Sequence, residues 1–165
     1  MPSGKTHIRI DVFFLVLIGG GGLYFWGDLV RRFGHDRLIE HCAVFIVSYL
    51  FGTFLLSPDL DLKDNASAKN WGLFRLFWRP YAALFKHRGI SHAPIVGTLT
   101  RILYMVAVIY VVVAAMNTLL DMKIRMSLHD LRGVNWNLAL TALAGVCLPD
   151  LLHVLTDRAF KNRKR

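Results

Sequence analysis

Four long apolar segments interrupt an otherwise polar and basic chain. They cover residues 10–27, 41–56, 101–120 and 136–155. A helix needs roughly 20 apolar residues to span the hydrocarbon core of a bilayer, with a range of about 17 to 25. The third segment meets this length, whereas the other three are short or interrupted and would need tilting or local thinning of the bilayer. The pattern predicts an all-α fold, a membrane helix bundle of about four transmembrane helices forming a single domain over residues 1–165.

The first apolar segment contains four consecutive glycines, Gly19 to Gly22. Small residues let two membrane helices approach closely, and glycine also weakens a helix. The run is therefore either a close-packing surface or a poorly helical stretch, and we favour close packing.

The longest connection, between the second and third apolar segments, contains an aromatic stretch at 71–86. Its aromatic residues recur at roughly helical spacing, and its basic residues lie on another face. This pattern is typical of a helix lying in the membrane interface, here with a kink at Pro80. A surface helix packed on the protein's own core would show the same pattern, and the sequence does not separate the two.

Composition and charge agree with a membrane protein. The chain is 55% hydrophobic and carries a formal charge of +9. A nucleic-acid-binding protein would carry its basic residues as a patch on a polar fold, but here they flank apolar segments, which argues against nucleic acid as a partner. Cys42 and Cys147 lie inside apolar segments and are not spaced as a metal or redox pair.

The basic residues also predict an orientation. An even number of spans puts both termini and the long connection on one side, which receives 14 Lys and Arg residues, including a basic tail at 158–165. The opposite side receives 6. Because basic residues accumulate on the cytoplasmic side, we expect the termini in the cytoplasm.

With this topology, four separate chain segments bring His or Asp residues to the cytoplasmic end. His153 and Asp157 are four residues apart and share a helical face. Asp59 and Asp61 would point the same way if their segment were extended. A turn at Gly89 would bring two further histidines together. The gathered residues are His7, Asp59, Asp61, His87, His92, Asp150, His153 and Asp157, whereas His35, His41 and His129 fall at the opposite end.

Mixed imidazole and carboxylate ligands suit Zn²⁺, Mn²⁺ or Fe²⁺ better than Ca²⁺, which prefers oxygen alone. The candidates are numerous enough for one or two ions, and zinc is the metal we expect. Such ions supply hydroxide at neutral pH. Arg88, with Arg79 or Lys86, would hold an anionic substrate group. Asp61, Asp150 or Asp157 would transfer the proton if not used as a ligand.

The same residues carry a resemblance. The motifs are Met1 to His7, Ser57 to Asp61, His87-Arg88 followed by Ser91-His92, and His153 with Asp157. They resemble, in order and over nearly the whole chain, a family of metal-binding membrane proteins common in cyanobacteria. That family is similar to the LexA-binding, inner-membrane-associated metal-dependent hydrolases. A fainter likeness to zinc-dependent phospholipases C points to phosphoester chemistry.

The resemblance implies a multi-pass protein of a bacterial inner or thylakoid membrane. It also implies which residues occupy metal-binding positions. In one place the sequence departs from the family pattern, because Ile8 stands where an acidic residue is expected after the first histidine, with Asp11 a turn further on. The implied ligands are His7, Asp59, Asp61, His87, His92, His153 and Asp157.

Three functions are compatible with these features. The first is a metal-dependent hydrolase acting at the cytoplasmic membrane face on a phosphoester or lipid-like substrate. The second is a non-catalytic accessory subunit or assembly factor whose metal staples helix ends together. The third, which we favour least, is a basic module that contacts anionic lipid or nucleic acid. Membrane lipid and a membrane-protein partner or second copy are the expected partners.

Overall fold

A computed structural model describes residues 4–61, 66–85, 93, 95–125 and 132–162. The described residues are helical, with no strand among them, which confirms the predicted all-α fold. Two short 3₁₀ helices, Pro58–Asp61 and Gly72–Phe77, lie in the long connection. The α-helices are α1 Gly4–Tyr24, α2 Trp26–Phe33, α3 His35–Leu55, α4 Ala66–Asn70, α5 Trp78–Leu84, α6 Val96–Leu120 and α7 Trp136–Asn162.

Four helical stretches are long and apolar enough to cross a membrane, as the sequence predicted. They begin earlier or end later than the apolar segments, because polar residues extend the helices at their ends. Pro149 lies inside α7 without ending it. By length and composition, the four candidates are Gly4–Tyr24, His35–Asp61, Val96–Leu120 and Trp136–Lys161.

The most extensive helix contact joins α3 to α7, and small residues make it close. A Cβ added at Gly52 would lie 3.0 Å from the Val146 carbonyl oxygen. One added at Gly145 would lie 2.0 Å from Ser48 Oγ and 2.9 Å from the Phe45 carbonyl oxygen. Glycine at these positions therefore lets the two backbones approach, as small residues do in membrane helix pairs.

The glycine run of α1 has no such role among the described residues. α1 continues through Gly19 to Gly22, and a Cβ added at any of the four would meet nothing within 4 Å. The predicted close packing is therefore wrong for contacts inside the chain. A helix break is also not seen. Side chains around the run, among them Ile18 and Leu23, are exposed.

The aromatic connection is neither one continuous helix nor a purely interfacial one. A 3₁₀ helix leads into the short helix α5, and Pro80 lies in the first turn of α5, where the missing N–H is not needed. Trp78 and Tyr81 are buried in the apolar core with Leu56 and Leu60. Leu73 and neighbouring residues remain exposed. Half of the stretch thus packs on the protein itself.

Helix α6 presents its apolar side chains outward along most of its length. Its buried residues are Gly97, Thr98 and Arg101, all near its beginning. Side chains such as Leu103 and Val111, each about two-thirds exposed, would be costly in water. This outward apolar surface is typical of a helix that faces lipid.

Candidate metal centre

Two helices bring histidine and aspartate side chains together at one end of the bundle. His7 lies in the first turn of α1, and His153 and Asp157 lie one turn apart near the end of α7. The two imidazole rings are stacked, with centroids 3.8 Å apart and planes at 16°. One ligand atom from each of the three residues lies within 4.8 Å of the other two. We call this group the metal triad.

A second carboxylate lies beside the triad. His153 Nε2 is 3.5 Å from Asp59 Oδ1 and 3.9 Å from Asp157 Oδ2. His7 Nε2 is 3.3 Å from Asp157 Oδ1. The Nε2 atoms of both histidines therefore lie close to the carboxylate of Asp157. The histidine side chains are buried, while those of Asp59 and Asp157 remain about one-fifth exposed.

The spacing of these atoms fits a divalent ion. Around a tetrahedral Zn²⁺ with ligand bonds of about 2.1 Å, neighbouring ligand atoms lie about 3.4 Å apart. The two imidazole–carboxylate separations within the triad, 3.3 and 3.9 Å, and the 3.5 Å separation between His153 and Asp59 bracket that value. They are longer than well-formed hydrogen bonds between these atom types. The donor set of two imidazoles and carboxylate also matches the preference of borderline metals.

The conformation of residues 58–61 explains why the side chains of Asp59 and Asp61 point in different directions. An extended segment would have pointed both carboxylates the same way. Pro58–Asp61 is instead a 3₁₀ helix with three residues per turn, so residues two apart point in different directions. The prediction that both carboxylates point the same way was wrong. Asp59 reaches His153, whereas Asp61 is buried and lies outside the metal triad.

Asp61 acts instead on Tyr81. Burial raises the pKa of the Tyr81 hydroxyl, and the carboxylates of Asp61 and Asp150 raise it further, against a hydrogen bond from Thr100 and the charge of Arg101. The assignment of Asp61 as a metal ligand or proton-transfer group stays a prediction.

Asp150, predicted to transfer protons, is held in a buried network. Its Oδ2 accepts hydrogen bonds from Thr98 Oγ1 and the Arg101 guanidinium. Arg101 and Thr98 are fully buried, and Asp150 is nearly so. Because a carboxylate held by arginine is a poor proton acceptor, the structure favours a packing role that ties α6 to α7. Arg101, which the orientation argument treated as a flanking surface charge, is an internal ion-pair partner.

A third group of residues lies next to the triad, and of these the sequence indicated only Asp11, as an acid one turn after Ile8. Asp11, Thr53 and Ser67 are each at least 95% buried and share a small cavity with His7 and His153. Asp11 was the one charged residue inside the first apolar segment, and such a residue marks a functional position by default. This charged residue in an apolar segment was a signal in the sequence that could have identified Asp11 as a site residue. Ile8 also lines the cavity, so the missing acid at position 8 is matched by a carboxylate one turn along α1.

Other predicted site residues lie outside the described residues. These are His87, Arg88 and His92, with Lys86 of the candidate anion-binding group and His129 of the opposite end. Arg79 is exposed on α5. The assignments of His87 and His92 as ligands and of Arg88 as an anion-binding residue stay predictions.

Comparison with known proteins supports the metal chemistry. Residues 2–165 match the family described as "Uncharacterized metal-binding protein (DUF2227)". An "Uncharacterized protein" of Aquifex aeolicus (strain VF5) is 43% identical over 61 residues, which are 37% of this chain and 43% of that relative. This chain thus spans less than half of the relative's length. No solved structure matches the chain.

The family match confirms the predicted kinship with metal-binding proteins. The finer resemblance to LexA-binding hydrolases and to cyanobacterial proteins stays a prediction, because neither comparison bears on it.

Proposed function

The chain belongs to this family of metal-binding proteins, and from that premise we propose that it is a membrane-embedded, metal-dependent hydrolase. It acts at the cytoplasmic face of a bacterial membrane on a phosphoester or lipid-like substrate. The observation that carries the proposal is the metal triad, in which His7, His153 and Asp157 meet within 4.8 Å.

The number and type of donors favour catalysis over a purely structural site. Two histidines and one carboxylate form the three-ligand set found in many hydrolytic zinc sites, which leave a coordination position for water or substrate. Structural sites usually close all four positions, most often with cysteine, and both cysteines lie in apolar stretches away from the triad. Zinc is the metal we propose, and manganese or iron fits the same donors.

We assign metal binding and proton transfer to different residues of this chain. His7, His153 and Asp157 would hold the ion, and their burial keeps the imidazoles in one orientation. Asp59 is partly exposed and touches His153, so it can hold or release a proton at its carboxylate where substrate enters. A divalent ion bound there supplies Lewis-acid polarisation and a nucleophile at neutral pH.

The membrane setting follows from the four apolar helices and their outward-facing side chains. His7 stands at the beginning of the first candidate span and Asp157 at the end of the last, so the triad would lie at one membrane boundary. The basic residues argue for the cytoplasmic boundary. A substrate with a polar head and an apolar tail is the kind that reaches such a site. Lipid would cover the apolar faces, and the glycine run of α1 is a surface for a second copy or a partner helix.

The hydrolase proposal is tested with the full chain purified in detergent without chelator. We expect retained zinc and hydrolysis of bis(p-nitrophenyl) phosphate or a phospholipid. Asp157→Asn should lose both metal and activity, whereas Asp59→Asn should keep the metal and lose activity. His41→Ala, which removes a histidine of α3 at the opposite end of the bundle, is the matched control and should change neither.

Metal content and turnover together distinguish a hydrolase from a non-catalytic subunit. Metal retained in the wild-type chain without turnover on any phosphoester would overturn the hydrolase and favour the non-catalytic subunit, especially if a stable membrane complex co-purifies. Absence of metal from the wild-type chain after loading would overturn both.

Orientation is tested by labelling single cysteines in intact cells. Lys161→Cys and Arg37→Cys, each in a Cys42→Ala/Cys147→Ala background, lie near opposite ends of the bundle. We expect an impermeant thiol reagent to label Arg37→Cys alone. Labelling of Lys161→Cys alone would place the triad on the outer side.

A further inference from the structure

A small cavity adjoins the metal triad. It has a volume of about 20 Å³, enough for one water-sized occupant or one ion. His7, His153 and Asp59 contribute to its wall, so it shares three residues with the proposed metal centre. The rest of the wall consists of Gly4, Ile8 and four residues with side-chain oxygen atoms, which are Asp11, Thr53, Ser57 and Ser67.

Three residues of this wall each carry a buried polar atom that has no hydrogen-bond partner among the described residues. These atoms are His7 Nδ1, Asp11 Oδ1 and Thr53 Oγ1. The three side chains are only 5%, 4% and 3% exposed. A buried polar atom left without a partner is costly, so three such atoms on residues of one cavity wall indicate an occupant that satisfies them.

The Asp11 carboxyl group favours a cation over water as the occupant. It is buried beside the two imidazoles of the triad, and the described lining of the cavity contains no lysine or arginine. The guanidinium of Arg101 is held by Asp150. A water molecule would satisfy the hydrogen bonds of the cavity, whereas a cation would satisfy them and also hold the Asp11 carboxyl group in its ionised form.

We propose that this cavity is a second cation subsite, in which Asp11 and Thr53 supply oxygen ligands for a hard divalent ion such as Mn²⁺ or Mg²⁺. The subsite rests on the proposed function, because it makes the metal centre a two-ion site. Carboxylate and hydroxyl oxygens are the ligands that hard cations prefer, whereas the two imidazoles of the triad suit a softer ion. His7 belongs to both, because its Nε2 lies 3.3 Å from Asp157 Oδ1 and its side chain also lines the cavity.

The test is the number of ions per chain. The full chain, stripped with chelator in detergent and reloaded with Mn²⁺, should bind two ions, and its electron paramagnetic resonance spectrum should show a coupled pair. Asp11→Asn and Thr53→Val each preserve side-chain size and should bind one ion with an uncoupled spectrum. Asp36→Asn removes an exposed carboxylate from the first turn of α3 and should still bind two.

Each result has one meaning. A wild-type chain that binds a single ion, which Asp157→Asn then loses, overturns the second subsite and leaves the proposed function standing. Two ions in Asp11→Asn also overturn the subsite. A wild-type chain that binds no ion overturns both proposals. If Asp11→Asn fails to fold, as judged by circular dichroism and gel filtration, the wild-type ion count and spectrum decide alone.

Discussion

The two ends of the bundle use similar residues in opposite ways. At the triad end, which we define by His7, Asp11, Asp150, His153 and Asp157, polar side chains are mostly buried and face one another across helices. The opposite end, defined by Arg32, Arg37, His41, Asn135 and Asn137, surrounds an open pocket of about 790 Å³. Its arginines and asparagines are exposed.

Histidine shows the contrast most clearly. His153 faces two carboxylates and stacks on a second imidazole. His41 is half-buried, and its Nδ1 lies 2.7 Å from the hydroxyl oxygen of Thr141. A hydroxyl satisfies a single histidine, whereas a cluster of imidazoles and carboxylates fits a cation. The partners, and not the residue type, therefore distinguish the metal centre from an ordinary interfacial histidine.

The largest difference between the ends should appear in metal retention. We expect His153→Ala to abolish it, because it removes a ligand from a three-ligand site. His41→Ala should retain as much metal as the wild-type chain. Elemental analysis of the purified variants measures both. Equal retention in the two variants would mean that the triad does not hold the ion.

The second-largest difference between the two ends should be in the stability of arginine variants. Arg101→Leu leaves Asp150 buried without its ion-pair partner, and we expect the free energy of unfolding to fall by about 3–5 kcal/mol. Replacing both residues with leucine should recover most of that loss. Arg37→Leu, at the opposite end, should change it by no more than about 0.5 kcal/mol. Unfolding in mixed micelles with rising denaturing detergent provides the measurement, and similar losses for Arg101 and Arg37 would contradict the buried network.

Glycine positions sharpen the comparison along the helices. Gly145→Ala forces a methyl group against Ser48 and the Phe45 carbonyl, so we expect a loss of about 1–3 kcal/mol. Gly21→Ala meets no neighbouring atom and should be neutral or stabilising by up to about 1 kcal/mol in the monomer. The same unfolding assay reports both. A large loss for Gly21→Ala would instead show that the glycine run packs against another copy or partner.

The smallest effect concerns the support of Asp11. Tyr49 is fully buried, and its hydroxyl donates a 2.8 Å hydrogen bond to the backbone carbonyl of Asp11, which links α3 to α1 beside the cavity. Tyr49→Phe removes this bond and should cost about 1 kcal/mol. Tyr24→Phe, on an exposed side chain, should cost nothing measurable. An unchanged unfolding free energy in Tyr49→Phe would show that the bond does not contribute.

The sequence predicted those features that depend on periodicity. Apolar segments longer than four helical turns located all four long helices, and the four-residue spacing of His153 and Asp157 placed both on one helical face. Their meeting with His7 was inferred from topology alone. The conformation of Pro58–Asp61 was not predictable in the same way, because a proline followed by alternating acids is compatible with an extended or a 3₁₀ backbone.

Buried charge was the harder feature. The sequence indicated Arg101 as a flanking surface charge and Asp150 as a site carboxylate, and their pairing depends on how α6 packs against α7. The burial of Trp78 and Tyr81 likewise depends on their contacts with distant residues such as Leu56 and Leu60. Tertiary contacts decided each of these cases.

The position of the triad along the polypeptide has a consequence for biosynthesis. His7 is made among the first residues and Asp157 among the last, some 150 positions later. A nascent chain released between residues 120 and 153 would carry the first three candidate spans yet lack His153 and Asp157 of the triad. Metal uptake at the triad would therefore follow synthesis of the last candidate span, and it would distinguish chains that contain this span from chains that stop before it.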